Sequence, residues 1–251
     1  MNIVILGGTG LIGTRLAALL RRAGHQVAAV SPSTGVDSVT GRGLDAALAG
    51  AQVVVDVTNS PSFAPEDVLA FFQASTRHLL AAARAAGVQH LVALSVVGAE
   101  RLPDSGYLRA KLAQEALIAR GGVPFTVLRA TQFIEFLGAI ADSLTDAGVV
   151  HAPAAPLQPV AADDVAATLA EVALAAPLNG RLELGGPQRA PLDALLRRWL
   201  PARGDRRSVV TDPTATYFGA RLEGDALCTA ADARLGRTGL DDWLARAPLA
   251  A

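Results

Sequence analysis

A cluster of glycines directly after a short apolar run constrains this chain more than any other feature. Asn2 to Leu6 is an apolar run of the kind that forms a fully buried parallel strand, and a helical pattern continues as far as Gly24. Between them lies Gly7-Gly8-Thr9-Gly10-Leu11-Ile12-Gly13, which we call the glycine turn. With a second predicted strand at Gln26 to Val30, these residues indicate a β-α-β unit.

The glycine turn has the spacing of a dinucleotide-binding loop. It satisfies G-x-G-x-x-G from Gly8, and it would let backbone N–H groups and the positive helix end approach a pyrophosphate with no Cβ in the way. A tight turn that binds nothing is the alternative, but the strand before and the helix after favour binding. A Walker-type phosphate loop is excluded because no Gly-Lys-Ser/Thr follows. The predicted cofactor contacts in this turn are Gly7, Thr9, Gly10, Leu11, Ile12 and Gly13.

The end of the second predicted strand indicates which dinucleotide is favoured. An NAD site usually places Asp or Glu there to bind the ribose 2′-hydroxyl, whereas this chain has Ser31, followed by Pro, Ser33 and Thr34. No carboxylate would repel a 2′-phosphate, and three hydroxyls could donate to it, although turn chemistry explains the same residues. No arginine adjoins Ser31, and Arg15 or Arg42 are the alternatives. We predict NADP(H) in preference to NAD(H), with contacts from Ser31, Ser33 and Thr34.

Three polar residues further along the chain are placed for proton transfer. Tyr107 and Lys111 are four residues apart at the start of a predicted helix, so their side chains share one face. Ser95 follows the predicted strand Leu91 to Leu94, at the edge where ligands meet a parallel sheet. A nearby ammonium would lower the pKa of the tyrosine, which must release a proton, and the serine would hold the substrate oxygen. This arrangement is suited to carbonyl reduction.

A purely structural interpretation of the same residues remains open. Tyr107 would pack on the sheet, and Lys111 would be a solvated charge paired with Glu115. Lys111 is, however, the only lysine among the 22 Lys and Arg residues, which agrees with a need for a compact ammonium at this position. The joint placement of the three residues favours a catalytic site.

Strands and helices continue to alternate through the first 150 residues, which predicts a Rossmann-like, doubly wound parallel sheet with helices on both faces. A helix is expected from Phe133 to Asp146. We predict a cofactor-binding core over residues 1–150 and a smaller substrate-covering region over residues 151–251. Thr58 and Asn59 follow the third strand and are candidates to border the adenosine, although a turn into Pro61 explains them equally well.

Composition excludes several classes of protein. A net charge of −1 provides no basic surplus for nucleic acid, and the apolar stretches are far shorter than the ~20 residues that span a bilayer. The single cysteine, Cys228, excludes an internal disulfide, and the four histidines show no ligand spacing, so we predict no metal. We expect a cytoplasmic protein, a monomer or homodimer, with a small-molecule substrate and no nucleic-acid or membrane partner.

The chain resembles the short-chain dehydrogenase/reductase superfamily, in particular its atypical NmrA-like, NAD(P)H-binding branch. The matching segments cover about the first 150 residues and are the glycine turn, Ser95-Val96-Val97-Gly98, Tyr107-x-x-x-Lys111 with Glu115, and Leu128-Arg129-Ala130-Thr131-Gln132-Phe133. The resemblance implies that Ser95, Tyr107 and Lys111 are catalytic, that Lys111 also contacts the cofactor ribose, and that Thr131 lines the nicotinamide end.

The expected activity is hydride transfer between a nicotinamide and a small carbonyl, imine or quinone-like substrate. Two alternatives remain. The first is a redox sensor that binds NAD(P) without turnover. The resemblance implies that many NmrA-like proteins lack the tyrosine and act as sensors, so the presence of Tyr107 favours an enzyme. The second is a non-redox epimerase or lyase with a tightly held cofactor.

Overall fold

The computed structural model describes residues 1–246, in which twelve strands and eight α-helices form. The strands are β1 (Asn2–Leu6), β2 (Gln26–Val30), β3 (Val53–Asp56), β4 (His90–Val96), β5 (Phe125–Ala130), β6 (Thr145–Asp146), β7 (Val149–Ala152), β8 (Pro156–Leu157), β9 (Gly180–Gly185), β10 (Ala190–Pro191), β11 (Ser208–Thr211) and β12 (Arg234–Leu235). The helices are α1 (Leu11–Arg22), α2 (Leu44–Leu48), α3 (Pro65–Ala85), α4 (Gly106–Ala119), α5 (Leu137–Ser143), α6 (Ala162–Leu174), α7 (Leu192–Ala202) and α8 (Leu240–Arg246). Residues 247–251, the end of the predicted substrate-covering region, lie outside the described residues.

A seven-stranded sheet has the order β12-β9-β5-β4-β3-β1-β2. β1 pairs in parallel with both β2 and β3, and β3 pairs in parallel with β4. The predicted Rossmann-like parallel sheet is therefore confirmed. The strand order reverses at β1, so the crevice outside the carboxyl ends of β1 and β3 is a topological switch point, where open α/β sheets bind ligands.

Helices cover both faces of the sheet, and the sequence of β1 shows why. Ile3 and Ile5 alternate with Val4 and Leu6 along the strand, and all four side chains are at most 4% exposed. Val4 and Leu6 belong to a core cluster that includes residues of α2, α3 and α4. A strand buried on both faces needs apolar residues at every position, which is the continuous run that the sequence contains.

The described chain divides into two compact units, each of which we describe by itself. The first unit comprises residues 1–95, 106–129 and 165–182, and the second comprises the other described residues. The chain leaves the first unit at Val96, Ala130 and Glu183, and it returns at Gly106 and Val165. The second unit contains a three-stranded sheet in the order β11-β7-β6 and the antiparallel pair β8–β10.

The helix expected from Phe133 to Asp146 is only partly correct. The chain forms a 3₁₀ turn at Ile134–Phe136 and then α5, which ends at Ser143. The next two residues after Leu144 form β6, which pairs antiparallel with β7 across Ala147 and Gly148, both with positive φ. Two left-handed residues between antiparallel strands form the turn that suits a tight hairpin, and this tertiary pairing ends the helix.

No helix in the described part of the chain combines the length and the apolar character needed to cross a membrane.

Candidate cofactor-binding and proton-transfer site

Steric packing fixes the glycine turn, because three of its four glycines leave no room for a side chain. Gly7 has a φ of +76°, and a Cβ there would lie 2.8 Å from the carbonyl oxygen of Val57. A Cβ on Gly8 would lie 2.6 Å from the Cα of Ala29, and a Cβ on Gly13 would lie 2.2 Å from the carbonyl oxygen of Gly7. Packing alone therefore requires glycine at these three positions, with or without a ligand.

Gly10 is different, and it carries the argument for a ligand. A Cβ on Gly10 would meet only the carbonyl oxygen of Gly7, at 3.3 Å, and the residue is exposed. Gly10 is the N-cap of α1 and has no side-chain cap, while the amide and hydroxyl of Thr14 both donate to its carbonyl oxygen. The amides of residues 11–13 form the first turn of α1, where backbone N–H groups have no carbonyl partner within the helix. A bare cap beside such amides fits the diphosphate of a dinucleotide.

The glycine turn lies at the topological switch point of the sheet. It follows β1, and the close approach of Gly7 to Val57 brings it against the residue that follows β3. Thr58 is next in the chain, and both its amide and its hydroxyl donate to Asp56 Oδ1, at 3.0 and 2.7 Å. The predicted cofactor residues Gly7 and Thr58 are therefore brought together.

The residues after β2 form a compact turn. The hydroxyl oxygens of Ser31 and Ser33 are 2.8 Å apart, and Thr34 Oγ1 accepts from the Ser31 amide and donates to its carbonyl oxygen. Ser31 is buried, whereas Ser33 and Thr34 are exposed. This geometry agrees with the turn interpretation, and it leaves no carboxylate at the position that binds a ribose 2′-hydroxyl.

Tyr107 lies in the first turn of α4 within an aromatic cluster. Its hydroxyl donates to Asn59 Oδ1 at 3.2 Å, and its ring centroid lies 5.6 Å from that of Phe63 and 6.2 Å from that of Phe72. Burial raises the pKa of Tyr107 to about 12. We expected a nearby lysine to lower this pKa, but the pKa is raised instead, because removal from water dominates.

Lys111 is buried, with a side chain held by three neighbours. Its Nζ donates to the carbonyl oxygen of Leu94 at 2.8 Å and to Gln114 Oε1, and it lies 4.2 Å from the centre of the Phe72 ring. Burial lowers its pKa to about 8, against the opposing charges of Asp56 and Glu115. The alternative of a solvated lysine on an exposed helix face is therefore wrong.

Ser95 belongs to a second buried group, centred on the Glu115 carboxylate. Ser95 Oγ donates to Glu115 Oε1 at 2.6 Å, and Arg129 donates to both carboxylate oxygens, at 2.9 and 2.8 Å. Arg181 lies 3.5 Å from Oε2, with its own side chain 57% exposed. An ionised carboxylate is an acceptor only, so the serine proton is directed at Glu115, and only the lone pairs of Oγ remain for another partner.

Asp56 is the functional candidate that sequence reasoning missed. It ends β3, is buried, and accepts from Gln114 Nε2 at 2.9 Å, so that Gln114 connects its carboxylate to Lys111. A carboxylate at the carboxyl end of an apolar strand was a signal available in the sequence. Its partner is 58 residues away, and only the fold identifies it.

In the second unit, Thr131 follows β5. Its hydroxyl donates to the carbonyl oxygen of Gln158 at 2.5 Å, and its amide donates to the carbonyl oxygen of Leu184. Nearby, the rings of Phe133 and Phe136 stack with centroids 5.3 Å apart. Within residues 1–246, no group of three or more His, Cys, Asp or Glu side chains is arranged to hold a metal ion.

Comparison with known proteins decides the family. A family model described as NAD(P)H-binding matches residues 7–176, more than half of the chain. The chain belongs to this NAD(P)H-binding family. The match begins at Gly7 and includes Ser95, Tyr107 and Lys111.

One curated member of similar sequence is a (4-alkanoyl-5-oxo-2,5-dihydrofuran-3-yl)methyl phosphate reductase from Streptomyces griseus subsp. griseus. It is 34% identical over 180 residues, which is 66% of this chain and 60% of the relative. The chain therefore spans less than two thirds of the length of that reductase.

Two solved structures show the same fold. A short-chain dehydrogenase/reductase superfamily protein from Agrobacterium tumefaciens with bound NAD has a TM-score of 0.73 and 22% identity, over 98% of this chain and 95% of that one. The UDP-glucose 4-epimerase of Thermus thermophilus in complex with NAD has a TM-score of 0.70 and 19% identity, over 90% and 92% of the two chains. These similarities show that the chain shares the fold of a short-chain dehydrogenase/reductase superfamily protein, in agreement with the resemblance seen in the sequence.

Proposed function

We propose that this chain is an NAD(P)H-dependent oxidoreductase that transfers hydride between a nicotinamide and a small carbonyl, imine or quinone-like substrate. One observation carries the proposal. The cap of α1 is a bare, exposed Gly10 in a turn whose other glycines are all required by packing. Membership of the NAD(P)H-binding family and similarity to a reductase support it.

The chain's own groups would bind the cofactor at both ends. The amides of residues 11–13 would donate to the diphosphate, with Thr9 exposed beside them. Thr58, after β3, would border the adenosine, and Thr131, after β5, would line the nicotinamide end. When bound, the nicotinamide supplies the hydride.

Tyr107 would act as the acid in the reducing direction. With its pKa raised to about 12, the phenol keeps its proton at neutral pH. It can donate that proton to the substrate oxygen as the carbonyl carbon gains the hydride, which leaves an alcohol and an oxidised cofactor. Solvent then returns a proton to the tyrosine. Lys111 would stabilise the transient phenolate as an ammonium, a form it holds below its pKa of about 8.

Ser95 would position the substrate oxygen. Because its proton is directed at Glu115, Oγ accepts a hydrogen bond from an alcohol more readily than it donates one to a carbonyl. Ser95 would therefore hold the hydroxyl form of the substrate best.

We propose NADP(H) as the preferred cofactor. The absence of a carboxylate after β2 supports this preference, and the exposed Ser33 hydroxyl could donate to a 2′-phosphate. Thr34 could do so only by giving up its bond to the Ser31 carbonyl oxygen. We also propose that the protein acts in the cytoplasm as a monomer or homodimer.

The decisive experiment titrates the protein with NADPH and NADH by fluorescence and then follows cofactor oxidation with carbonyl, imine and quinone substrates. Because the relative is named for a furanone methyl phosphate, the panel includes phosphorylated unsaturated lactones. NADPH should bind more tightly than NADH. Tyr107→Phe should reduce kcat by about 100-fold or more on whichever substrate turns over.

The control variant is Tyr217→Phe, which alters the only other tyrosine of the chain and should leave kcat unchanged. Full turnover in both Tyr107→Phe and Lys111→Met would contradict the assignment. Cofactor binding without turnover on any substrate would favour the sensor instead.

A non-redox epimerase is the second candidate, supported by the fold shared with the Thermus thermophilus epimerase. It predicts a nucleotide that co-purifies with the protein and is not consumed during turnover. Release of the nucleotide by simple dialysis would argue against it.

A further inference from the structure

The second unit contains a cleft that the proposed chemistry does not use. Its volume is about 370 Å³, within the range of small-molecule sites. We call it the arginine cleft, and the residues that matter for its chemistry are Arg189, Arg198, Gln188, Pro159, Leu195 and Leu240.

The charged groups that line the arginine cleft are both cationic. Arg189 is 40% exposed and uses Nη1 for Asp225 and Nη2 for the carbonyl oxygen of Thr229. Arg198 is 43% exposed and contacts Asp241 through Nη2. Both carboxylate partners lie outside the cleft lining and are more than half exposed, so the pairs are weak and solvent-screened. Each guanidinium has five N–H donors and keeps some for a ligand.

A second cleft in the same unit shows that arginines alone do not make an anion site. This cleft has a volume of about 490 Å³ and is also lined by two arginines, Arg101 and Arg221. Three carboxylates line it as well, namely those of Asp104, Glu223 and Asp225. Acids outnumber bases there, whereas no carboxylate lines the arginine cleft. An anion would therefore select the arginine cleft.

The other walls indicate what the anion is attached to. Leu195, Leu240 and Pro159 line the arginine cleft and are themselves buried, so an apolar portion of a ligand that packs on them would remove its own surface from water. Gln188 adds one neutral polar side chain. A bare inorganic ion would leave these walls unused.

The wall of the arginine cleft is next in the chain to a residue bonded to Thr131, which we propose contacts the cofactor. Thr131 donates to the carbonyl oxygen of Gln158, and the next residue, Pro159, is part of the cleft wall. The Gln158 side chain is itself held in place, because it donates to the Gly186 carbonyl oxygen and accepts from Thr229.

We infer that the arginine cleft binds an organic phosphate monoester, with the phosphate on Arg189 and Arg198 and the organic group against the apolar wall. Arginine suits this ligand because its planar fork matches phosphate oxygens. That this ligand is the substrate rests on the proposed function, but its binding does not.

Isothermal titration of the full chain with n-butyl phosphate tests the inference, with 1-butanol and inorganic phosphate as comparison probes. Butyl phosphate should bind at least about tenfold more tightly than inorganic phosphate, and 1-butanol should give no signal. Arg198→Gln should weaken butyl phosphate about tenfold or more. Arg221→Gln, which alters the other cleft, should change the affinity less than about twofold.

Arg189→Gln should weaken butyl phosphate binding as Arg198→Gln does. Because Arg189 also bonds the Thr229 carbonyl oxygen, the unfolding midpoint of the Arg189→Gln variant must be measured as well. Within the described residues, Arg198 bonds only the exposed Asp241, which keeps the test valid if Arg189→Gln fails to fold. Equal affinity for butyl and inorganic phosphate would overturn the organic part of the inference. Unchanged affinity of the Arg198→Gln variant for butyl phosphate would overturn the inference that the arginine cleft is the binding site.

NADPH titration of the same samples separates this inference from the proposed function. Nucleotide binding without butyl phosphate binding would overturn only the inference about the arginine cleft. Butyl phosphate binding without nucleotide binding would overturn only the proposed oxidoreductase function.

Discussion

The glycine turn and the polar groups around α4 belong to one unit, but different interactions fix their geometry. In the glycine turn, geometry depends on the absence of side chains, because backbone atoms of Val57, Ala29 and Gly7 lie where a Cβ would be. Around α4, geometry depends on buried side chains that satisfy one another's charges and hydrogen bonds, with Glu115 and Lys111 each held by several partners. The comparison teaches that a turn that needs bare backbone can be recognised from its glycines, whereas the partners in a buried polar network cannot be recognised without the fold.

The largest expected effect is in the polar network. Arg129→Met would leave the Glu115 carboxylate, 7% exposed, without its bidentate partner, and we expect a loss of about 4 kcal/mol in the free energy of unfolding. Urea unfolding measures this loss. Arg181→Gln is the matched control, because it faces the same carboxylate from an exposed position and should cost less than about 1 kcal/mol. Similar losses in the two variants would show that burial is not the determining factor.

The second-largest expected effect is on the glycine turn. Gly13→Ala places a Cβ 2.2 Å from a backbone oxygen, so we expect about 3 kcal/mol of destabilisation by chemical unfolding. Gly10→Ala should cost less than about 1 kcal/mol, since its nearest contact is 3.3 Å and its φ of −82° suits alanine. Gly10→Ala should nevertheless weaken NADPH at least about tenfold, because the methyl group would obstruct the diphosphate. Unchanged NADPH affinity in this variant would remove the main support for the cofactor site.

The pH dependence of stability tests Lys111. Its pKa is about 8 when folded and 10.5 when unfolded, so both states are charged below pH 8 and the cost of burying the charge is fully present there. As the pH rises above 8 the folded lysine loses its proton first, and stability should increase by at most about 3 kcal/mol up to pH 10.5. Urea unfolding should show this increase between about pH 8 and pH 10, and Lys111→Met should lack it.

The contribution of Tyr107 to stability changes with pH in the opposite direction, and it does so in a higher pH range. Its folded pKa of about 12 exceeds the unfolded value of 10.0, so its contribution is complete below pH 10 and is lost between pH 10 and 12. Tyr107→Phe should therefore keep the increase above pH 8 and lack the later decrease. An increase that persists in Lys111→Met would assign it to another group.

The smallest effect distinguishes two hydroxyls of the proposed site. Ser95→Ala removes a 2.6 Å hydrogen bond to a buried carboxylate and should cost about 2 kcal/mol. Tyr107→Phe removes a 3.2 Å bond to Asn59 and should cost less, about 1 kcal/mol. Thermal unfolding at neutral pH compares them. A larger loss for Tyr107→Phe would mean that the tyrosine, rather than the serine, is held structurally.

Sequence reasoning predicted the parallel sheet and gave the observed bounds of β1 and β2, because buried apolar runs and glycine positions are signals visible in the sequence. It was wrong about the helix to Asp146, which the pairing of β6 with β7 ends early. It also treated Lys111 and Glu115 as a possible surface pair, although both are buried with other partners. Helical spacing shows which residues share a face and does not show what covers that face.

The sequence by itself determined where the glycine turn lies, since its glycines form a recognisable motif directly after a buried apolar run. Only the tertiary structure decided the charge environment of Ser95, Tyr107 and Lys111. Asn59 accepts from Tyr107, and Asp56 and Arg129 bond the Gln114 and Glu115 side chains that hold Lys111 and Ser95. All three come from other segments of the chain, and burial shifts the pKa values of Tyr107 and Lys111. Electrostatic effects depend on distance in space and on exclusion of water, and neither is encoded in local spacing.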